Sequence, residues 1–140
     1  RSHDSLTSTN TGVGGRVFYI GTDDHVHWVR KDGVWKDDDI TASGGAVPPD
    51  SGTITCVDDG AHTAVYYIDK NFHVRELSLQ GTWIASDVTS MAAGVSVKKK
   101  DGALTCFYQP SAGIRIYFVG SDGQVQEFAW QGSRWTATTL

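Results

Sequence analysis

Positive charge is scarce in this sequence: 12 Lys and Arg stand against 16 Asp and Glu, the formal net charge is −4, and the one basic run is Lys98-Lys99-Lys100. Nucleic-acid affinity rests largely on basic side chains that neutralise phosphates, so no nucleic-acid partner is expected. Long apolar runs are missing as well. The longest reach about five residues against the roughly 20 needed to cross a bilayer, and the opening RSHDSLTSTN has no apolar signal core. A soluble chain without membrane insertion is expected, with secretion and the cytoplasm both open.

Cysteine is nearly absent. Cys56 and Cys106 are the only two, with no CxxC spacing and no His cluster beside them, which argues against zinc. They fall at equivalent places in neighbouring repeats, commonly too far apart for a bridge, so two buried free thiols are expected. His25 and His27 share a strand face without a third ligand, and KDDDIT, with Asp37, Asp38 and Asp39, lacks the Gly and distal Glu of a calcium loop. The histidines read as surface or turn residues and the aspartates as a solvated turn. Neither a metal nor a cofactor is expected. No segment sustains the 3.6-residue period of a helix.

What is present is the apolar content of one ordinary domain: 140 residues, 39% hydrophobic, with five Trp. It is also a threefold repeat. RVFYIGTDDHVHWVRK from Arg16, AVYYIDKNFHVRELSL from Ala64 and RIYFVGSDGQVQEFAW from Arg115 align without a gap. Each continues to a tryptophan, Trp35, Trp83 or Trp135, and each follows a short strand-like stretch, SLTST, TITCV or ALTCF, at a period of 48 to 52 residues.

Alternating Val, Ile, Tyr and Phe with Gly, Asp and Asn in the turns make each unit four short strands, about 5–9, 16–20, 25–30 and 34–40 in the first. Four strands repeated at this length mark an all-β, β-propeller chain. Its single propeller segment divides into blades at about 1–48, 49–98 and 99–140. Propellers close with about 4 to 8 blades, so three blades predict a homodimer that completes a six-bladed ring. The alternative is a piece of a longer propeller.

The third repeat carries two charges amid its apolar residues. A three-residue loop, Ser121-Asp122-Gly123 with Gly123 left-handed, pairs Tyr117 with Glu127 and Arg115 with Ala129, which puts Arg115 and Glu127 on one face. A two-residue turn would separate them. A guanidinium donates while a neighbouring carboxylate accepts, so the pair suits a ligand with adjacent hydroxyls, a sugar. The recurring Trp35, Trp83 and Trp135 could lie against the C–H face of a pyranose or serve as core, and Arg115 with Glu127 could be a plain cross-strand ion pair. A propeller glycosidase or sialidase-like enzyme and a structural or protein-binding propeller are the rival classes. A repeated site favours binding without catalysis over one reaction centre.

IRIYFVGSDGQVQEFAWQGSRW and AVYYIDKNFHVRELSLQGTW resemble the repeat of the fungal and bacterial fucose-binding lectins, six-bladed propellers. The resemblance spans nearly the whole chain. It implies sites between adjacent blades, with an Arg from the second strand and a Glu from the third holding fucose and aromatics of a neighbouring blade receiving its apolar face. It also implies ring closure by association of chains. Carried over, the third repeat has both polar anchors, Arg115 and Glu127; the second has Glu76 but Ala64 at the Arg position; the first has Arg16 but Trp28 at the Glu position. Trp35, Trp83 and Trp135 are kept, and the aromatic at the end of the third strand is Trp130 in the last repeat, with Lys31 and Leu79 elsewhere. One strong site per chain follows, walled by Trp35 of a partner or by Trp83 of the same chain according to the packing direction.

Overall fold

The turn at 121–123 sets the register of the last blade. Gly120 N–H donates to the Gln124 carbonyl (2.8 Å) and Gly123 N–H to that of Gly120 (2.8 Å), with Gly123 at φ 80°. Strands β10 (Gly113–Val119) and β11 (Val125–Trp130) then pair with Tyr117 opposite Glu127 and Arg115 opposite Ala129, the register expected of the three-residue loop. Asp24 and Phe72 take the same left-handed position in the other two repeats, at φ 60° and 64°. In each turn the Asp corresponding to Asp122 or lying near it, Asp23 or Asp69, accepts backbone N–H groups and so fixes the bend.

The computed structural model describes residues 5–11 and 14–140, apart from the side chains of Thr11 and Asp32. Residues 1–4, assigned by the sequence to the first blade, and residues 12–13 lie outside the described residues. The first blade holds β1 (Leu6–Thr11), β2 (Gly14–Ile20), β3 (Val26–Asp32) and β4 (Val34–Asp39). The second holds β5 (Ile54–Asp58), β6 (Thr63–Ile68), β7 (Val74–Gln80) and β8 (Thr82–Asp87). The third adds β9 (Leu104–Gln109) and β12 (Trp135–Thr139) to β10 and β11. Each blade is a four-stranded antiparallel sheet in sequence order.

The cores lie between blades, because a twisted four-stranded sheet exposes two faces and hides neither alone. Phe18 and Trp28 of the first blade pack on Val65, Tyr67 and Leu77 of the second. Tyr66 and Ala64 of the second pack on Ile114, Ile116, Phe118 and Phe128 of the third. The innermost strands touch, β1 against β5 and β5 against β9, through repeated contacts of a Thr hydroxyl with a thiol: Thr7 Oγ1 to Cys56 Sγ and Thr55 Oγ1 to Cys106 Sγ, each 3.4 Å. The cysteines are free and half-buried. Burial pushes the Cys106 thiol up to about 11 and raises that of Cys56, leaving both as poor nucleophiles.

Two short helices depart from the all-strand expectation, and the fourth strand ends at Asp39 instead of 40. Helices α1 (Ile40–Gly44) and α2 (Val88–Ala92) link the blades. Asp39 and Asp87 are their N-caps, accepting from Ala42 N (2.9 Å) and Ser90 N (3.1 Å). KDDDIT is therefore not a solvated turn: Asp37 and Asp38 belong to β4, and Asp39 starts a helix. His25 and His73 bind the capping carboxylates, at 2.6 and 2.8 Å. Buried Thr41 and Thr89 accept the Val26 and Val74 N–H groups at 2.8 Å. Thr89→Val would strand the buried Val74 N–H, so we expect a loss of about 1–3 kcal/mol in urea unfolding with an unchanged slope. Among the described residues no helix is long and apolar enough to cross a membrane.

Candidate functional site

Strand alternation decides what each side chain faces. The second- and third-strand positions that carry Arg16, Ala64 or Arg115 and Trp28, Glu76 or Glu127 point toward the following blade, whereas the fourth-strand Trp points back to the preceding one. Trp83 accordingly meets Phe18 edge-on at 6.0 Å and Trp28 at 5.3 Å, and Trp135 meets Tyr66 at 6.0 Å. Each constellation is thus shared by two blades. Of the two packing directions open to the sequence, the structure has the one in which Trp83 serves the first blade, so Trp83 stands away from Arg115 and Glu127.

Between the first and second blades the position is filled. Trp28, 7% exposed, is approached by two guanidiniums, with Arg16 Cζ 5.3 Å and Arg30 Cζ 4.7 Å from its ring centroid. Arg30 Nε also reaches Asp38 at 3.3 Å. Arg16 Nε and Trp28 Nε1 are buried without a hydrogen-bond partner among the described residues. With an indole in place of the carboxylate and Trp83 closing on it, Arg16 is part of a packed layer.

Between the second and third blades there is a cleft of about 450 Å³ whose walls include Glu76, Ala64 and His62 on one side and Trp130 and Trp135 on the other. A neighbouring cleft of about 500 Å³ shares Asp59, Ile114 and Trp130 with it. Tyr66, fully buried, donates its hydroxyl to Glu76 Oε2 at 2.8 Å. Burial and the adjacent carboxylate push the Tyr66 hydroxyl well above its usual value. Burial also raises the Glu76 carboxyl, with the Tyr66 hydrogen bond and His62 partly offsetting the rise. Ala64 supplies no cation.

The full polar set lies on the outward face of the third blade. Arg115 Nε is 3.7 Å from Glu127 Oε2, and Tyr117 donates to that same oxygen at 2.7 Å. The Glu127 hydrogen bond, then desolvation, raises the Tyr117 hydroxyl above its usual value. Phe107, 42% exposed, stacks on Tyr117 with centroids 5.9 Å apart. At the opposite end of the chain Trp35, 64% exposed, lies on the outward face of the first blade, with Lys31 Nζ 5.9 Å from its ring.

Sequence reasoning passed over two groups of residues. Tyr66 and Tyr117 accompany Glu76 and Glu127, whereas the first blade has Phe18 beside Trp28; this pairing within the repeats was the available signal. The His–Asp pairs were the other. Asp23, His25 and Asp39 bring potential ligand atoms within 4.8 Å of one another. The second blade repeats the His–Asp contact as His73–Asp87, with Asn71 where the first has Asp23, so the shared role is to hold the capping aspartate.

No protein-family description and no curated protein matches the chain. Solved structures do match. AofleA from Arthrobotrys oligospora is similar with a TM-score of 0.74 and 23% identity, over 97% of this chain and 41% of that one. A mutant of the Aleuria aurantia lectin in complex with α-methyl-L-fucoside gives 0.74 and 17%, over 97% and 44%. A fucose lectin from Kordia zhangzhouensis in complex with methyl-fucoside gives 0.60 and 18%, over 96% and 97%. The chain spans less than half the length of the first two. At these identities the likeness is one of fold: the chain comprises three blades of the six-bladed β-propeller fold described for the Aleuria aurantia lectin.

Proposed function

We propose that the chain is a multivalent carbohydrate-binding lectin for fucosylated glycans, acting by binding alone, as a homodimer whose two copies complete a six-bladed ring. The observation that carries the reading is the Arg115–Glu127–Tyr117 set on one outward face, with Trp35 exposed on the other. In the packing direction seen twice within the chain, the third blade of one copy meets the first blade of the next. Trp35 of the second copy then stands to Arg115 and Glu127 as Trp135 stands to Ala64 and Glu76. Arg115 donates to the sugar's ring and hydroxyl oxygens, Glu127 accepts from its hydroxyls, and the indole covers its apolar face.

The fold of the solved fucose lectins supports this reading, as does their binding of fucosides. Two strong sites per dimer are expected, at the two junctions between copies. The positions of Arg16 and Trp83 lie in the filled layer, and those of Glu76, Trp130 and Trp135 line the remaining cleft. A glycan array on the intact protein should light up on fucosides. Silence, or glycoside turnover on the same panel, would overturn the reading.

A further inference from the structure

Ala64 removes the guanidinium from the cleft between the second and third blades, yet that cleft keeps a partly buried carboxylate, Glu76, a Tyr66 hydroxyl on it, and two tryptophans opposite. Another cation donor is within the same walls. His62 immediately precedes β6, two residues before Ala64, and lines the cleft with Ala64 and Glu76. Its Nδ1 is 3.3 Å from Asp59 Oδ2, and Asp59 also accepts the His62 N–H at 2.6 Å. The Asp59 contact orients the ring and occupies Nδ1, so Nε2 is the nitrogen available to a ligand.

We infer that His62 replaces the missing arginine, making this cleft a second, weaker sugar site that works in mild acid and closes as pH rises. The inference rests on the lectin reading above. In the neutral ring, Nδ1–H donates to Asp59 and Nε2 is an acceptor, which cannot do what a guanidinium does for a sugar oxygen. Protonation turns Nε2 into a charged donor, and imidazoles change charge between about pH 5 and 8.

The groups facing His62 are acidic or neutral. From its own hairpin come Asp58 and Asp59. Asp58 is engaged by Thr63 Oγ1 and Gly60 N. Asp59, although burial works the other way, is held below its usual value by the His62 and Ala61 N–H groups and the His62 ring. From β7 comes Glu76, and the third blade contributes Ile114, Trp130, Gly132 and Trp135, none of them charged. Asp59 and Glu76 are the charged groups that line this cleft with His62, and no cation is among its other lining residues. Because burial raises Glu76, stronger acid protonates it and removes the acceptor. Second-site binding is accordingly bell-shaped in pH, lost upward through His62 and downward through Glu76.

The test is titration calorimetry of the whole protein with methyl α-L-fucoside at about pH 6 and pH 8. One strong class per chain is expected at both, with a second, weaker class at the lower pH that weakens at least about tenfold at the higher. His62→Ala should delete the second class and leave the first. Ala64→Arg, a residue accepted at positions 16 and 115, should make the second class independent of pH. A second class that persists in His62→Ala, or its absence at the lower pH while the strong class is present, overturns the His62 site. Absence of the strong class overturns the Arg115–Glu127 reading, whatever the second class does, and silence at both pH values overturns both.

Discussion

Glu127→Ala should abolish agglutination of fucose-bearing particles and weaken methyl fucoside by at least tenfold. Arg115→Ala should do the same to the simple sugar. A hydrogen bond to a charged group contributes about 1.5–3 kcal/mol, which corresponds to about 10- to 150-fold in affinity per group lost. Glu127 counts for more than one such bond, because the same carboxylate also accepts from Tyr117 and faces Arg115. Without it, Arg115 keeps only its hydrogen bond to the Ile114 carbonyl (3.3 Å) and the Tyr117 hydroxyl turns to water. Both side chains are partly exposed, so the fold should survive and its unfolding midpoint should move little. Glu127→Gln, keeping the shape without the charge, should fall between. Agglutination amplifies the loss, since two linked sites on one surface multiply affinity by about 10²–10⁴, and that factor disappears with the sites. Wild-type binding by Glu127→Ala would make the Arg115–Glu127 contact a structural ion pair only.

Much of this was legible in the residues, and what was not has physical causes. The register at Tyr117–Glu127 could be read because a three-residue loop with Gly123 left-handed leaves one pairing that keeps Ile116 and Phe128 together. The blade count followed from repetition alone. The two helices could not be found by periodicity: each is five residues long, too short for a 3.6-residue pattern to appear, and the usable signals were DIT at 39–41 and DVT at 87–89. Asp37 to Asp39 misled because their charge suggests solvent, whereas Asp39 caps a helix and meets His25. Packing direction was open for another reason. Both faces of every blade carry apolar residues, so alternation says which residues share a face but not which neighbour they meet. His62 stands where the other repeats have Gly14 and Gly113, and becomes a candidate only when the cleft brings it beside Glu76 and Ala64.

Val29→Asp should convert the protein to monomers, and with them remove fucose binding at the Arg115–Glu127 site. Position 29 matches Leu77 and Phe128, both 0% exposed because a preceding blade covers them, whereas Val29 is only half-buried in the single chain. Val17 stands in the same relation to Val65 and Ile116, and on the opposite face Tyr117 to Phe18 and Tyr66. Positions sealed inside the chain are open at its two ends. In the proposed ring both ends would be sealed at once, with two identical junctions per dimer. An uncompensated charge buried at such a junction costs about 3–5 kcal/mol; doubled by symmetry, that should shift the dissociation constant by at least about 10⁴-fold. In the separate chain the aspartate remains in water, so light scattering should report a folded monomer with unchanged circular dichroism. A complementary variant locks the ring. In a background with Cys56 and Cys106 replaced by Ser, Thr105→Cys and Ser8→Cys occupy the positions that Thr55 and Cys106 hold at 3.4 Å within the chain. Oxidation should therefore give a covalent dimer with two bridges. A dimer that survives Val29→Asp and fails to crosslink would mean that the copies associate through some other face, leaving Trp35 away from Arg115 and Glu127.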